Sequence, residues 1–348
     1  MREQEKKVIV TAPTGIAAIN IWWATIHSTF KLFGSYLNFR MPWQQTVEWK
    51  GVNVLIVDEV SMLWPDYVDQ ADLCLKRFLK NDLPFWWLQV VFVGDPKQLP
   101  PVYSSQTELD RIELEWLKSK YGEELTFDKA RAYKGFELLE LDRIYRQNDP
   151  ILIDYINSIR GWNFNTLKNF KQWMGDSSSV HIMPYNNMVD AHNEKELNKV
   201  PGMPKTYTAI VSGKFNVKNS ITPEFLRLKP GARIMVTKNL KCGLVNGDLG
   251  TVVKCNVDEV VIMSDRFKSE YEIRIEEWKE IQYVWHKEEI LWLFYQIPLK
   301  LSWAITCHKV QWLTLDSICV HYIKGMTKEL LYVAVSRCSN YDNLFIKT

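Results

Sequence analysis

The apolar positions of this chain fall first into short, continuous β-branched runs that end in turn residues and acids. Val54–Val57 runs into Asp58-Glu59, and Leu88–Val93 runs into Gly94-Asp95-Pro96, followed by Gln98-Leu99-Pro100-Pro101. Between them, Pro65 to Leu79 carries apolar residues at helical spacing. Unbroken apolar runs bounded by turns and joined by a helix predict parallel strands covered on both faces. Ligands of such sheets bind beyond the carboxyl ends of the strands, where Asp58, Glu59, Asp95 and Gln98 would be delivered.

The same reading applied to the rest of the chain predicts the end of a helix over Arg2 to Lys7, a strand at Val8–Val10 and a helix from Ile16 to Asn20. Ala24 to Phe33 follows with His27 and Ser28. Gly34 to Gly51 has no clear period and is expected to be a hairpin or loop. Helices are predicted over Glu108 to Tyr121, Ile151 to Arg160, Val189 to Leu197 and Lys328 to Arg337, with strands at Phe136–Leu141, Val180–Met183, Leu299–Thr306 and Ser317–His321. From about Pro201 to Trp292 the pattern changes to short, Gly-punctuated strands: Tyr207–Val211, Ala232–Val236, Gly250–Val253, Val260–Met263 and Tyr271–Ile275. Strands at that density predict a small barrel inserted into the second α/β domain.

Composition narrows this little. A chain of 348 residues is long enough for two domains or three. With 43 basic and 41 acidic residues the net charge is +2, so charge alone argues for no nucleic-acid partner. The six cysteines show no C-x-x-C spacing, which suggests no zinc site and fits reduced thiols in a cytoplasmic, nucleoid or nuclear setting. No stretch reaches the roughly 18 apolar residues needed to cross a bilayer, and the N-terminus has no secretory apolar region. The unusual figure is 15 tryptophans, with pairs at Trp22-Trp23 and Trp86-Trp87.

Candidate chemistry sits at the strand ends. Asp58 can hold Mg²⁺ and Glu59 can orient and deprotonate a water; equally, two acids can simply favour a helix N-terminus. Gln98, held by prolines, can donate to a γ-phosphate or serve as a loop residue. Arg146 and Arg337 suit charge developing on a phosphoryl group, or ordinary ion pairs. Thr306-Cys307-His308-Lys309-Val310-Gln311 mixes donors at the end of a strand, as do Thr14, Thr25 and His27, and such groups bind single-stranded DNA; a lone histidine is as readily structural.

Taken as an ordered set, TAPTGIAA (11–18), TIHS (25–28), VLIVDEVSML (54–63), VFVGDPKQLPPV (91–102), LDRIYRQ (141–147), AITCHKVQ (304–311) and LYVAVSRC (331–338) resemble the motifs of superfamily 1 DNA helicases, in particular the PIF and RecD-like group. The resemblance covers almost the whole chain. It implies an α/β fold of two RecA-like parallel-sheet domains with a small SH3-like β-barrel insertion: 1–135 the first, 136–200 with 293–348 the second, 201–292 the insertion, and 34–51 a wedge hairpin. It implies ATP and Mg²⁺ as cofactors, with Asp58 on the metal, Glu59 on the water, Gln98 on the γ-phosphate, Asp95 beside the nucleotide, and Arg146 and Arg337 reaching across the interdomain cleft. Thr14, His27, Thr306, His308 and Gln311 fall in motifs that touch DNA. The implied activity is a 5′-to-3′ ratchet on single-stranded DNA and on forked or tailed duplexes, run by a monomer away from any membrane.

Two departures qualify that expectation. No G-x-x-x-x-G-K-[ST] loop is present in the 348 residues, so the chain taken alone is expected to have little ATPase activity. Trp22-Trp23 and Trp86-Trp87 replace small pairs, and Val310 and Trp312 replace the serine and glycine of the family's H-K-S-Q-G run; the rings are expected to pack against neighbours rather than stack on bases. The alternative implied is an ATPase-inactive remnant that binds single-stranded DNA or a protein. A metal-dependent nuclease would also cluster carboxylates, but the LDRIYRQ and LYVAVSRC arginines argue against it.

Overall fold

The computed structural model describes residues 6–13, 24–32, 47–85, 88–101, 107–161, 171–172, 179–213, 222–284, 287–311 and 313–347, of which 171–172, 280–284 and 287–291 are described by their backbone alone. By contacts the chain forms two compact units, Met1–Tyr145 and Arg146–Thr348.

In the first unit, β1 (Lys7–Ala12), β2 (Ala24–Thr25), β3 (Val52–Val57) and β4 (Gln89–Phe92) form a parallel sheet in the order β2-β1-β3-β4. The short helix α1 (Ile26–Phe30) and the long α2 (Pro65–Leu79) pack on it. Pro65 starts α2 because a missing N–H costs nothing in a first turn, and Lys80, left-handed at φ 53°, ends it. The core joins Ile9, Leu55, Val57, Val68, Leu75 and Trp49. Trp49 is buried and stacks on Phe30 at 4.9 Å, so this end of the expected 34–51 hairpin is core; residues 34–46 lie outside the described ones. The third helix, α3 (Glu108–Tyr121), opens on a capping box between Thr107 and Asp110.

Buried acids on α2 tie this unit together. Asp69 accepts from the Tyr121 hydroxyl at 2.9 Å and from the Ala132 N–H at 2.9 Å. Asp66, 2% exposed, accepts only from Gln70 among the hydrogen bonds its carboxylate makes with side chains, and burial pushes its pKa up to about 6, with Glu113 adding to the rise. A carboxyl whose folded value exceeds its unfolded value of 3.8 contributes stability below the unfolded value and loses it as pH rises through about 6. Asp66→Asn is therefore expected to be more stable than the parent by about 2 kcal/mol near pH 8, by urea denaturation, with the gain vanishing below about pH 4. A gain independent of pH would contradict this.

The second unit is built on a parallel sheet of order β17-β6-β18-β19-β5. Its strands are β5 (Lys171–Gln172), β6 (Val180–Met183), β17 (Ala304–Thr306), β18 (Ile318–His321) and β19 (Leu344–Lys347). Helices α4 (Pro150–Arg160), α5 (Asn186–Lys199), α6 (Cys307–Val310) and α7 (Lys328–Val335) belong to it; α7 is buried from Leu330 to Val335. Asn193 of α5 clamps β17, accepting from the Ala304 N–H at 2.7 Å and donating to the Ala304 carbonyl at 3.0 Å.

Between α5 and β17 the chain makes antiparallel pairs: β7 (Lys205–Thr208) with β9 (Phe225–Leu228), and β8 (Ile210–Gly213) beside the long hairpin β14 (Glu276–Val284) and β15 (Lys287–Gln296). A five-stranded sheet in the order β13-β12-β11-β10-β16 uses β10 (Arg233–Val236), β11 (Leu249–Cys255), β12 (Glu259–Ser264), β13 (Glu270–Arg274) and β16 (Leu299–Leu301). Its core includes Ile234, Val252, Ile262, Ile273 and Leu299.

Four expectations are corrected. Lys7 begins β1 rather than ending a helix. Leu299–Thr306 is two strands: Leu299–Leu301 pairs antiparallel with β10, the Ser302 N–H donates to the Arg233 carbonyl at 3.0 Å, and the chain then crosses into the parallel sheet at Ala304. Tyr207–Val211 is likewise divided between β7 and β8. Phe136–Leu141 forms no strand; its apolar residues have no alternation to match a pleat, and Leu138, Leu139 and Leu141 are 82%, 79% and 90% exposed. Phe136 itself joins the aromatic cluster of the first unit, 4.9 Å from Phe92 and stacked on Tyr133, so that unit continues past the 135/136 boundary.

Candidate nucleotide and nucleic-acid sites

The carboxyl ends of β3 and β4 are drawn together by backbone bonds. The Val93 N–H donates to the Val57 carbonyl at 2.9 Å, and the Val60 N–H returns to the Val93 carbonyl at 2.9 Å. That close approach favours glycine at 94, where an added Cβ would lie 3.1 Å from the Val60 nitrogen and push the backbone apart by a few tenths of an ångström. Asp58 is fixed by its own N–H, which donates to the Thr11 carbonyl at 2.8 Å, and its Oδ1 accepts from the Glu59 N–H at 2.9 Å. Among the described residues its Oδ2 makes no hydrogen bond. Glu59 sits in the left-handed region at φ 51°, ψ 40°, an expensive place for a side chain with a Cβ. Strain kept at the mouth of a parallel sheet points to a group whose direction matters more than its comfort.

On the neighbouring strand, Asp95 Oδ1 accepts from the Lys97 N–H at 3.0 Å and its carbonyl accepts from the Gln98 N–H at 2.9 Å, a closed turn that presents Gln98. Asp58, Glu59, Asp95 and Gln98 thus share one edge of one sheet. Their hard oxygens suit Mg²⁺.

In the second unit Arg146 is exposed, next to the buried Gln147, whose Nε2 donates to the Ser336 carbonyl at 2.7 Å and the Cys338 carbonyl at 3.3 Å. Asp149 caps α4 and also accepts from the Tyr341 N–H at 2.9 Å. The sequence assigns no role to Gln147, the last residue of LDRIYRQ, or to Asp149; the signals available were an amide directly after Arg146 and an acid directly before the proline that opens α4. Arg337 is 2% exposed and turned inward: Nε donates to the Val333 carbonyl at 3.0 Å, Nη2 to Ser336 Oγ at 2.7 Å, and Nη1 to the Gln311 carbonyl. In this conformation it anchors the 304–311 segment to the end of α7, and reaching a phosphate would require exchanging those bonds.

That segment gathers Thr306, His308 and Gln311 at the β17–α6 junction. Thr306 is 4% and Gln311 1% exposed, and His308 is half-buried with its pKa lowered by burial. Thr306, with Lys300 and Lys309, lines a cavity of about 480 Å³ between α5, β9 and β16. In the first unit Thr25 caps α1, and His27 stands edge-on to Tyr67 at 4.5 Å, half-buried, with its pKa likewise lowered. Thr14, Trp22-Trp23, Trp86-Trp87 and Trp312 lie outside the described residues. Val310 is fully buried. No described helix is long and apolar enough to cross a membrane.

The chain is similar to known proteins of one family. The PIF1-like helicase family matches residues 1–176, and the "DNA helicase Pif1, 2B domain" family matches residues 216–255. The fold resembles a Pif1 helicase from Bacteroides solved in complex with ADP-AlF3 and ssDNA (TM-score 0.75, 30% identity, 100% of this chain and 84% of that one). It also resembles a structure described as the basis for DNA unwinding at forked dsDNA by two coordinating Pif1 helicases (TM-score 0.76, 31% identity, 99% and 83%). The ATP-dependent DNA helicase PIF1 of Danio rerio is 28% identical over 365 residues, which are 97% of this chain and 54% of that protein, so the chain spans about half the length of this relative. The two parallel sheets are those of the RecA-like α/β fold, and the chain belongs to the PIF1-like helicase family.

Proposed function

We propose that this chain is part of an ATP-driven 5′-to-3′ helicase acting on single-stranded DNA and on forked or tailed duplexes. The observation that carries the reading is Glu59, held at φ 51° beside Asp58 on the edge that also presents Gln98. Asp58 would hold Mg²⁺ through the oxygen left unbonded among the described residues. The ion would screen the charge of the phosphates. Glu59 would take the proton of the attacking water, Gln98 would donate to the γ-phosphate and Asp95 would hold the turn that aims it. Arg146 would neutralise charge developing on the transferred group, and Arg337 would do so after exchanging its inward bonds. His27, His308 and the Thr306–Gln311 backbone would grip the DNA phosphates, and Thr14 is assigned the same role from its motif. We assign 1–145 and 146–200 with 293–348 to the two RecA-like domains, and 201–292 to an SH3-like insertion.

A second reading, single-stranded DNA binding without turnover, is favoured by one observation: the 348 residues contain no G-x-x-x-x-G-K-[ST]. Phosphate release and strand displacement on 5′-tailed and 3′-tailed duplexes separate the two. Turnover with displacement from the 5′ tail supports the motor; DNA binding without turnover supports the second reading; displacement from the 3′ tail alone contradicts both.

A further inference from the structure

The central sheet of the second unit carries a side-chain cluster that the helicase chemistry does not use. On the paired parallel strands β6 and β18, His181 and Cys319 are register partners. His321 lies two residues beyond Cys319 and so projects from the same face. One donor atom from each of the three lies within 4.8 Å of the others, and His181 Nδ1 and His321 Nε2 are 2.7 Å apart. His192 of α5 lies beside the group, its ring centroid 4.4 Å from that of His181 and 6.0 Å from that of His321, outside the three mutually close donors, so its ring must turn toward an ion to join them. Its Nε2 is buried with no hydrogen-bond partner among the described residues. Such an orphaned nitrogen beside two other imidazoles and a thiol is costly in a core unless something with vacant coordination takes its lone pair.

We propose that His181, His192, Cys319 and His321 form a binding site for a divalent transition-metal ion, Zn²⁺ before others. Three imidazole nitrogens and one thiolate make a four-coordinate borderline-soft set, suited to Zn²⁺ and unsuited to Mg²⁺ or Ca²⁺. Two nitrogens each about 2.0–2.1 Å from a tetrahedral ion lie about 3.3 Å apart, so the His181 and His321 rings need to separate by only roughly half an ångström. Burial holds both rings neutral, His181 down to about 3 and His321 down to about 4, so their lone pairs are available at neutral pH.

On binding, the thiol proton of Cys319 leaves to solvent, and the proton between the two rings moves to the far nitrogen of its ring. Two metal–nitrogen bonds then replace that hydrogen bond. Cys319 is fully buried, and His192 and His321 are half-buried. Lys347, the register partner of His321, opposes the added charge, and Glu196, which acts on His192 from the next turn of α5, offsets it. Sequence spacing could not show this site, because only Cys319 and His321 are near each other in the chain. The ion would pin α5 to β6 and β18.

The test is metal binding by the chain freed of metal with a chelator. Zn²⁺ is titrated calorimetrically, and Co²⁺ serves as the optical probe. One equivalent is expected, with tetrahedral d–d bands and a thiolate-to-cobalt charge-transfer band. Cys319→Ser should abolish that charge-transfer band and His192→Asn should weaken Zn²⁺ binding by roughly 100-fold or more, since losing a ligand costs more than the 10- to 100-fold typical of its supporting groups. Cys255→Ser, outside the cluster, should change neither. His192 is half-buried, less enclosed than Cys319, so its variant keeps the test readable if Cys319→Ser fails to fold. Binding below one equivalent, or a charge-transfer band that survives Cys319→Ser, overturns the proposal.

Discussion

Arg337→Ala is expected to destabilise the second unit by about 3–5 kcal/mol, because it strips donors from three buried acceptors and leaves a cavity where a long side chain was. The guanidinium spans two segments, bonding Val333 and Ser336 on one side and the Gln311 carbonyl on the other. Lysine at 337 should recover only part of the loss, since an ammonium cannot present the planar fork that meets all three. The effect should also be local. Amide exchange over 304–311 should quicken more than exchange in β18. Urea denaturation with exchange measurement checks both; a loss below about 1 kcal/mol would mean that the inward bonds contribute little and that the side chain is free to serve elsewhere.

The second large effect is expected at Glu59. In a preparation that hydrolyses ATP, Glu59→Gln should lower DNA-stimulated turnover by about 10²- to 10⁴-fold, the usual contribution of a positioned general base, with DNA affinity little changed. Glu59→Gly should be equally inactive but more stable, by about 0.5–1 kcal/mol, because glycine relieves the left-handed strain at φ 51° while costing some extra chain entropy. A loss of activity coupled to a gain in stability is the mark of strain retained for function. Equal or lower stability in the glycine variant would remove that argument.

Much of the framework was legible from local pattern. Pro65–Leu79, Glu108–Tyr121 and Val180–Met183 are as the apolar periods predicted, since their caps and runs lie within one stretch of chain. The carboxylate edge was legible too, because strand ends announce themselves by turn residues. What escaped was non-local. Nothing near Ser302 says that the chain leaves one sheet for another there, and the β14–β15 hairpin has charges on both sides of its apolar residues, which hides its alternation. The role of Gln147 depends on the carbonyls of Ser336 and Cys338, far along the chain. Exposure was equally hidden: Arg337 reads as a surface cation and is buried, whereas Leu141 reads as core and is 90% exposed.

The claim that these residues grip single-stranded DNA is tested most directly by fluorescence anisotropy of a labelled oligothymidylate, against a blunt duplex of equal length, over a range of salt. Preference for the single strand by about tenfold or more is expected, with log affinity falling linearly in log salt by about 0.7 for each phosphate held. Equal binding to blunt duplex, or affinity indifferent to salt, would contradict it.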